Sequence, residues 1–335
     1  MIKSYSDGST ANITKSGDIM KKILAAFICA VLVLCCASCA APEKTDGTVI
    51  RVGALKGPTS LGMLGLMDSA ERSNCVFTLA GAADELTPAI LQGELDAAAV
   101  PVNLAAVLYN KTEGAVRLAA VNTLGVLYIV ETGEEITSLA DLRGKTLYAT
   151  GKGSTPEFTL RYLLSENGLD PDTDLTIEFK SEPAEVVAAL KQSGGAAMLP
   201  QPYVTVASSS VDGLRTALSL TEEWDKLGSG SQLVTGVLVV RAEFADAHPE
   251  LVKKFLADYE ASTKFVNENV AEAAQLAEKY DIIKAPVAEK AIPECNITFL
   301  TGEEMEAAVR GCLEVFYEQD ARSVGGAMPG DGFCG

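Results

Sequence analysis

Short apolar runs alternate along this chain with longer segments whose apolar residues return every three or four positions. VIRVGAL (49–55), CVFTLAG (75–81) and LDAAAVP (95–101) read as strands. TSLGMLGLMDSAER (59–72), TPAILQGE (87–94) and VNLAAVLYN (102–110) read as helices. The same order returns in TLYAT (146–150), TPEFTLRYLLSENG (155–168), LTIEFK (175–180), PAEVVAALKQSG (183–194), GAAMLP (195–200) and PYVTVASSS (202–210). Strands joined by helices predict parallel sheets covered on both faces, an α/β fold built twice. VLYIVE (126–131) reads as a strand leaving the first lobe, and the stretch after the Gly/Ser loop at 228–231 as a strand returning to it. Three helical segments follow, HPELVKKFLADYEASTKFVNENV, AEAAQLAEKY and TGEEMEAAVRGCLEVFYEQ, expected to pack on the first lobe. Lobe one then comprises 48–131 and 237–335 and lobe two 132–236, joined by a hinge of two crossing segments. The Gly-rich tail GGAMPGDGFCG is expected to be loosely held.

Two near-copies mark the repeat: ALKGPTSLG at 54–62 and TGKGSTPEF at 150–158. The ends of the two blocks also match, GELDAAAVPVNLAAV against QSGGAAMLPQPYVTVA, which predicts a structural pseudo-repeat. In parallel α/β sheets ligands bind beyond the carboxyl ends of the strands, where helices begin. A helix start offers unpaired N–H groups and a partial positive charge, Gly permits a close turn, and Ser or Thr caps while presenting a hydroxyl. STPE at 154–157 fits two frames, a capping box from Ser154 to Glu157 or Thr155 as cap with Pro156 at the first helical position. In either frame the amides of Gly153 to Thr155 are expected to face outward. The spacing is wrong for a phosphate-binding G-x-x-x-x-G-K-[ST] loop, and the third Gly of G-x-G-x-x-G is absent. Two lobes presenting helix starts to a shared cleft would grip a small polar ligand from both sides.

Composition narrows the classes. The chain has 335 residues, 48% hydrophobic and 6% aromatic, with a formal charge of −18, which argues against nucleic acid. MKKILAAFICAVLVLCCASCA (20–40) has the basic start, apolar run and small-residue end of a secretory signal, with Met20 as the expected start and 1–38 as the leader. CASC resembles a lipobox with Cys39 as the lipidated residue, although Cys36 stands where Leu is usual, and plain secretion is the alternative. Residues 39–47 would be the tether. Cys75, Cys295, Cys312 and Cys334 fit no zinc pattern and are expected as free thiols or one bridge. No metal or cofactor is implied.

CASC, RVGALKGPTSLG, LQGELDAAAVP, SLADLRGKTLYATGKGSTPEF, AALKQSGGAAMLPQPYV and AHPELVKKFLADY together resemble the ABC-transporter solute-binding proteins of the nitrate/sulfonate/taurine and thiamine-precursor type, over nearly all of 48–320. The resemblance implies a type II periplasmic-binding-protein fold and a monomeric, exported, lipid-anchored protein that hands a small solute to a permease and its ATPase, with no catalysis and no membrane contact beyond the anchor. By motif position the expected ligand contacts are Lys56, Gly57, Thr59 and Ser60 in lobe one and Lys152, Gly153, Ser154 and Thr155 in lobe two. Pro101, Asn103, Pro200 and Gln201 follow the third strands, Asn122 lies near the crossover, and Asp84 and Glu182 suit a ligand's amino groups. Each also has a structural reading as a cap, a rim charge or a helix-start acid. Tyr128, Phe158, Tyr203 and Trp224 are stacking candidates for which core packing competes.

Anion-binding loops favour nitrate, bicarbonate or a sulfonate. The absence of Arg from both loops and the presence of Asp84 and Glu182 favour an amino-pyrimidine or another amine-bearing ring. An exported sensor or adaptor domain is an alternative that the sequence does not separate from transport. An enzyme is a further one, since the fold resembled also hosts thiamine-pyrimidine synthases and menaquinone-pathway enzymes. Those are cytosolic, and the Cys-rich motif of the synthases is missing here. The single His, His248, precedes Pro249 at a helix start, and GSGSQ (228–232) lacks the G-x-S-x-G pattern.

Overall fold

The computed structural model describes residues 47–69, 74–228 and 230–334. The leader, Cys39 and the tether up to residue 46 lie outside the described residues. The strands are β1 (Ile50–Leu55), β2 (Cys75–Ala80), β3 (Ala97–Pro101), β4 (Val116–Leu124), β5 (Leu127–Thr132), β6 (Thr146–Ala149), β7 (Thr176–Phe179), β8 (Ala196–Pro200), β9 (Leu214–Ser219), β10 (Val234–Arg241) and β11 (Ile297–Leu300). They form two sheets, in the orders β11-β4-β10-β3-β1-β2 and β7-β6-β8-β5-β9.

The pseudo-repeat is visible in this order. In the first sheet β1 runs parallel to β2 and β3, and β10 lies antiparallel between β3 and β4. In the second, β6 runs parallel to β7 and β8, and β5 lies antiparallel between β8 and β9. Each sheet thus takes its one internal antiparallel strand from a chain segment adjoining the other. The chain crosses once at 125–126 and again between β9 and β10. The central strands are buried on both faces, as β3 is along its whole length, and so read as plain apolar runs.

The helices are α1 (Pro58–Leu61), α2 (Leu64–Asp68), α3 (Ala83–Leu91), α4 (Val102–Lys111), α5 (Thr155–Glu166), α6 (Pro183–Ser193), α7 (Tyr203–Ser210), α8 (Leu220–Lys226), α9 (Ala242–Ala247), α10 (Pro249–Glu268), α11 (Val270–Lys279), α12 (Ala285–Ala291) and α13 (Gly302–Gln319). Two expectations are corrected. Over its described part, 59–69, the helix read for 59–72 is two short ones, α1 and α2, because Gly62 and Gly65 weaken it; a Cβ on Gly62 would stand 3.0 Å from Ile297 Cγ2. The tail is held, not loose. The N–H of Leu118 donates to Phe333 O at 2.7 Å, Asn110 Nδ2 donates to Val324 O and Ala327 O at 2.7 and 2.6 Å, and the Phe333 ring meets Tyr109 edge-on.

One apolar cluster runs from the first sheet into the second, joining Val100 and Leu118 to Leu147, Leu160 and Trp224. Helix α13 closes it: Phe316 lies 6.0 Å from the Phe158 ring and 6.1 Å from Trp224. No helix among the described residues is long and apolar enough to cross a membrane. Cys295, Cys312 and Cys334 are free thiols. Burial pushes the Cys75 and Cys312 thiols up to about 12, so they behave as inert core residues.

Candidate functional site

The carboxyl ends of β1, β3, β6 and β8 open into a cleft of about 450 Å³, within the range of small-molecule sites. Both echoed loops reach it. Lys56, Gly57 and Thr59 come from the first loop, Lys152 from the second, and Pro101 and Pro200 from the ends of the two third strands. Asp84 also lines it. The other expected contacts face elsewhere.

Ser60 is buried and donates through its hydroxyl to Gly57 O at 3.0 Å. Asn122 is buried and donates from Nδ2 to Thr59 O at 3.4 Å, so it supports the cleft wall from behind. Gln201, two residues ahead of α7, accepts from the Thr205 hydroxyl at 3.0 Å. Gly153, Ser154, Thr155, Asn103 and Glu182 are likewise outside the lining. Thr155 donates its hydroxyl to Asn103 Oδ1 at 3.1 Å. Of the four aromatic candidates only Tyr203 lines the cleft; Trp224 is 0% exposed, Phe158 packs on Phe316, and Tyr128 hydrogen-bonds to Glu294 O.

The starts of α3, α5 and α6 are not open anion seats. The Gly153 N–H, expected to face a ligand, donates to Glu157 Oε2 at 2.6 Å. The N–H groups of Gly81 and Ala82 donate to Glu85 Oε1 at 3.0 and 2.9 Å ahead of α3, and that of Ser181 donates to Glu185 Oε2 at 2.9 Å ahead of α6. Three starts around the cleft carry their own carboxylate, which satisfies the amides and offsets the helix dipole. The signal was present in the sequence as Glu three residues after each cap, but at α3 and α6 it was read only through Asp84 and Glu182. Glu182 instead crosses toward the first sheet: a Cβ added to Gly81 would stand 2.9 Å from Glu182 Oε1.

What remains in the lining is apolar with a few polar points. Pro58, Pro101, Pro156, Pro183, Pro200 and Leu127 supply much of the apolar part of the wall. Lys56 is paired to Asp281 at 3.0 Å, and Lys180 is paired to Glu178 at 2.5 Å and stands 5.5 Å from the centre of the Tyr148 ring. Lys152 is exposed and has no ion pair among the described residues. The Tyr203 hydroxyl is held protonated, its pKa raised by burial and then by the nearby Glu182 charge. Thr235, at the start of β10, lines the cleft with a buried Oγ1 that lacks a hydrogen-bond partner. Lys180 and Thr235 were missed: Lys180 stands at the end of β7, where the strand-end rule would have found it, whereas Thr235 lies on the returning strand, which carries no motif. His248 packs its ring 4.9 Å from Phe244, away from the cleft lining.

A model of the NMT1-like family matches residues 79–280. The chain belongs to that family. It is 24% identical over 204 residues to a Brucella abortus protein named as a candidate binding protein, a match that covers 61% of each chain, so this chain spans about three fifths of that relative's length. Among solved structures it is similar to an ABC transporter protein of Parabacteroides distasonis, with a TM-score of 0.70, 24% identity, and coverage of 86% of this chain and 99% of that one. It is also similar to the periplasmic aliphatic sulphonate binding protein SsuA of Escherichia coli, with a TM-score of 0.66, 19% identity, and coverage of 84% and 89%. These likenesses bear on the fold, which is the two-lobe fold of the periplasmic binding proteins.

Proposed function

We propose that this protein is the extracytoplasmic solute-binding component of an ABC importer, a binder and not a catalyst, and that its solute is a small organic acid. The two sheets support this: β1–β4 with β10–β11 form one and β5–β9 the other, so the change of lobe falls ahead of β5 and not at 131, and the strand ends of both sheets line the cleft. On this reading Cys39 anchors the mature chain to the membrane, and the monomer delivers its solute to a permease and ATPase.

The observation that carries the choice of solute is the occupation of three helix starts by Glu85, Glu157 and Glu185. A bare oxyanion such as nitrate or bicarbonate would meet carboxylates where it needs amides. Such an ion is also small for a cleft of about 450 Å³ walled by proline and leucine. An apolar body suits the apolar part of that wall, and one anionic group meets Lys152, which has no ion pair among the described residues, on the side away from the Asp84 carboxylate that the lining also holds. The hydroxyls of Thr59, Thr235 and Tyr203 are left to fix orientation. The sulphonate named for the Escherichia coli neighbour has this make-up, an anionic head on an aliphatic body.

The test is a thermal-shift panel on protein unfolded and refolded to strip bound solute. A ligand at 100 times its dissociation constant adds about 2.7 kcal/mol. Organic acids are expected to shift the melting point and inorganic nitrate, bicarbonate and sulfate to leave it unchanged. Equal shifts from inorganic anions, or a response confined to amine-bearing rings without an acid group, would overturn the choice of solute.

A further inference from the structure

Asn103, the second residue of α4, and Thr155, the first of α5, come from opposite sheets and meet beside the cleft. They are 2% and 0% exposed. The Thr155 hydroxyl donates to Asn103 Oδ1 at 3.1 Å, and the Asn103 N–H approaches the same hydroxyl at 3.5 Å. Asn103 Nδ2 donates to Ser323 O at 3.1 Å and to Gly153 O at 3.4 Å. One carboxamide therefore joins three segments: the start of α4, the loop that carries Lys152, and the turn Ala321–Val324 that follows α13.

The arrangement is not required by the fold, because the echo lacks it. The residues at matching places are Thr59 in the first loop and Pro202 after β8. Thr59 donates to Leu55 O at 3.4 Å, and Pro202 has no side-chain donor or acceptor to offer it. Apolar contacts back the Asn103 junction on the α13 side, through Phe316, Phe158 and Trp224.

We propose that Asn103 and Thr155 are positioning residues, a buried polar pivot that fixes one lobe against the other and holds Lys152 at the cleft. The consequence for solute affinity rests on the solute-binding reading above; the pivot itself rests on the junction's geometry. Every polar atom of the Asn103 side chain is satisfied by this junction. Separating the lobes there would strand a buried donor and acceptor together, so the contact resists rotation more than an apolar one of equal area.

The test uses the full chain without solute, so that it can be read whether or not the choice of solute is right. Spin labels attached to keto amino acids replace the exposed Pro88 on α3 and Ala188 on α6, and pulsed electron resonance reads the interlobe distance. The unaltered pivot is expected to give one narrow distribution. Thr155→Val roughly doubles its width, because the buried acceptor no longer has its donor, and Thr155→Ser restores it. A purely structural hydroxyl would lower the melting point with Val while leaving the width as it was, and that result overturns the proposal. If Thr155→Val does not fold, Asn103→Ser removes the bridge and carries the same test with the same two outcomes.

Discussion

The loops at 54–62 and 150–158 are near-copies in sequence, and the protein uses them differently. In the first, Lys56, Gly57 and Thr59 all line the cleft, and Ser60 closes the turn from within. In the second, only Lys152 of the Lys-Gly-Ser-Thr run lines it; Gly153 is held by Glu157 and Thr155 by Asn103. The difference begins with residues outside the loops. Glu157 stands three places after Ser154 and can reach back, whereas Leu61 stands at the corresponding place in the first loop and has no carboxylate to do so. A repeated helix start is thus a repeated geometry whose amides go to whichever acceptor is nearest.

The comparison breaks most visibly at Gly236. A Cβ there would stand 2.6 Å from Asn122 Oδ1 and 2.7 Å from Thr59 Cγ2. Gly236→Val should therefore push Thr59 off the cleft wall and cost about 1–3 kcal/mol in denaturant unfolding, the usual cost of overpacking, together with loss of the solute-induced thermal shift. A stable variant with a normal shift would remove Thr59 from the site.

Lys152→Glu comes next, because it acts on the one charged residue that the second loop places in the cleft lining. Binding of an organic acid should weaken more than tenfold, a loss of about 1.4 kcal/mol or more, with an unchanged melting point in the absence of solute. Ser154→Ala two residues on should change neither. Similar losses from both would mean that the second loop works as the first does.

Ser60→Ala sharpens the first loop's internal closure. Losing its bond to Gly57 should cost about 1 kcal/mol of stability, read as a shift in the denaturant midpoint. The smallest effect lies outside both loops, in the DLRGK turn. Asp141 accepts from the N–H and hydroxyl of Thr137 and of Ser138, and these bonds hold its carboxyl down at about 2. A depressed folded pKa means that the stabilisation is present above the ordinary carboxylate range and is lost as pH falls through the folded value. Asp141→Ala should accordingly melt below the parent protein at neutral pH, with the gap closing on the way down to about pH 2. A gap independent of pH would show that this cap does not depend on charge.

These contrasts also mark how far the residues alone could be read. The strands β1, β3 and β8 were legible because a mostly buried strand leaves an apolar run, and β2, β6 and β7 because short β-favouring runs alternate there with helical segments. The strands β4, β9 and β11 were not assigned. In β9 and β11 the residues are mostly half-buried, which leaves no clean run or alternation. The tail looked free because Gly and Pro dominate it, yet its backbone and the Phe333 ring fasten it to β4 and α4. Within the site, the lysines, Thr59 and the strand-end prolines were legible from the echo. The Asn103–Thr155 junction was not, since residues 52 positions apart meet only through the folded arrangement of two sheets. The reach of Glu157 back to Gly153 was present as a capping pattern, but its consequence for an anion seat needed the coordinates.

The central claim is that the cleft selects an organic body and not a bare anion, and a calorimetric titration of refolded protein with methyl, butyl and hexyl sulfonates beside inorganic sulfate tests it most directly. The account predicts affinity rising roughly fourfold for each methylene buried, about 0.8 kcal/mol apiece, with a negative heat-capacity change that grows along the series and no heat from sulfate. Sulfate binding as tightly as hexyl sulfonate, with no dependence on chain length, would contradict it.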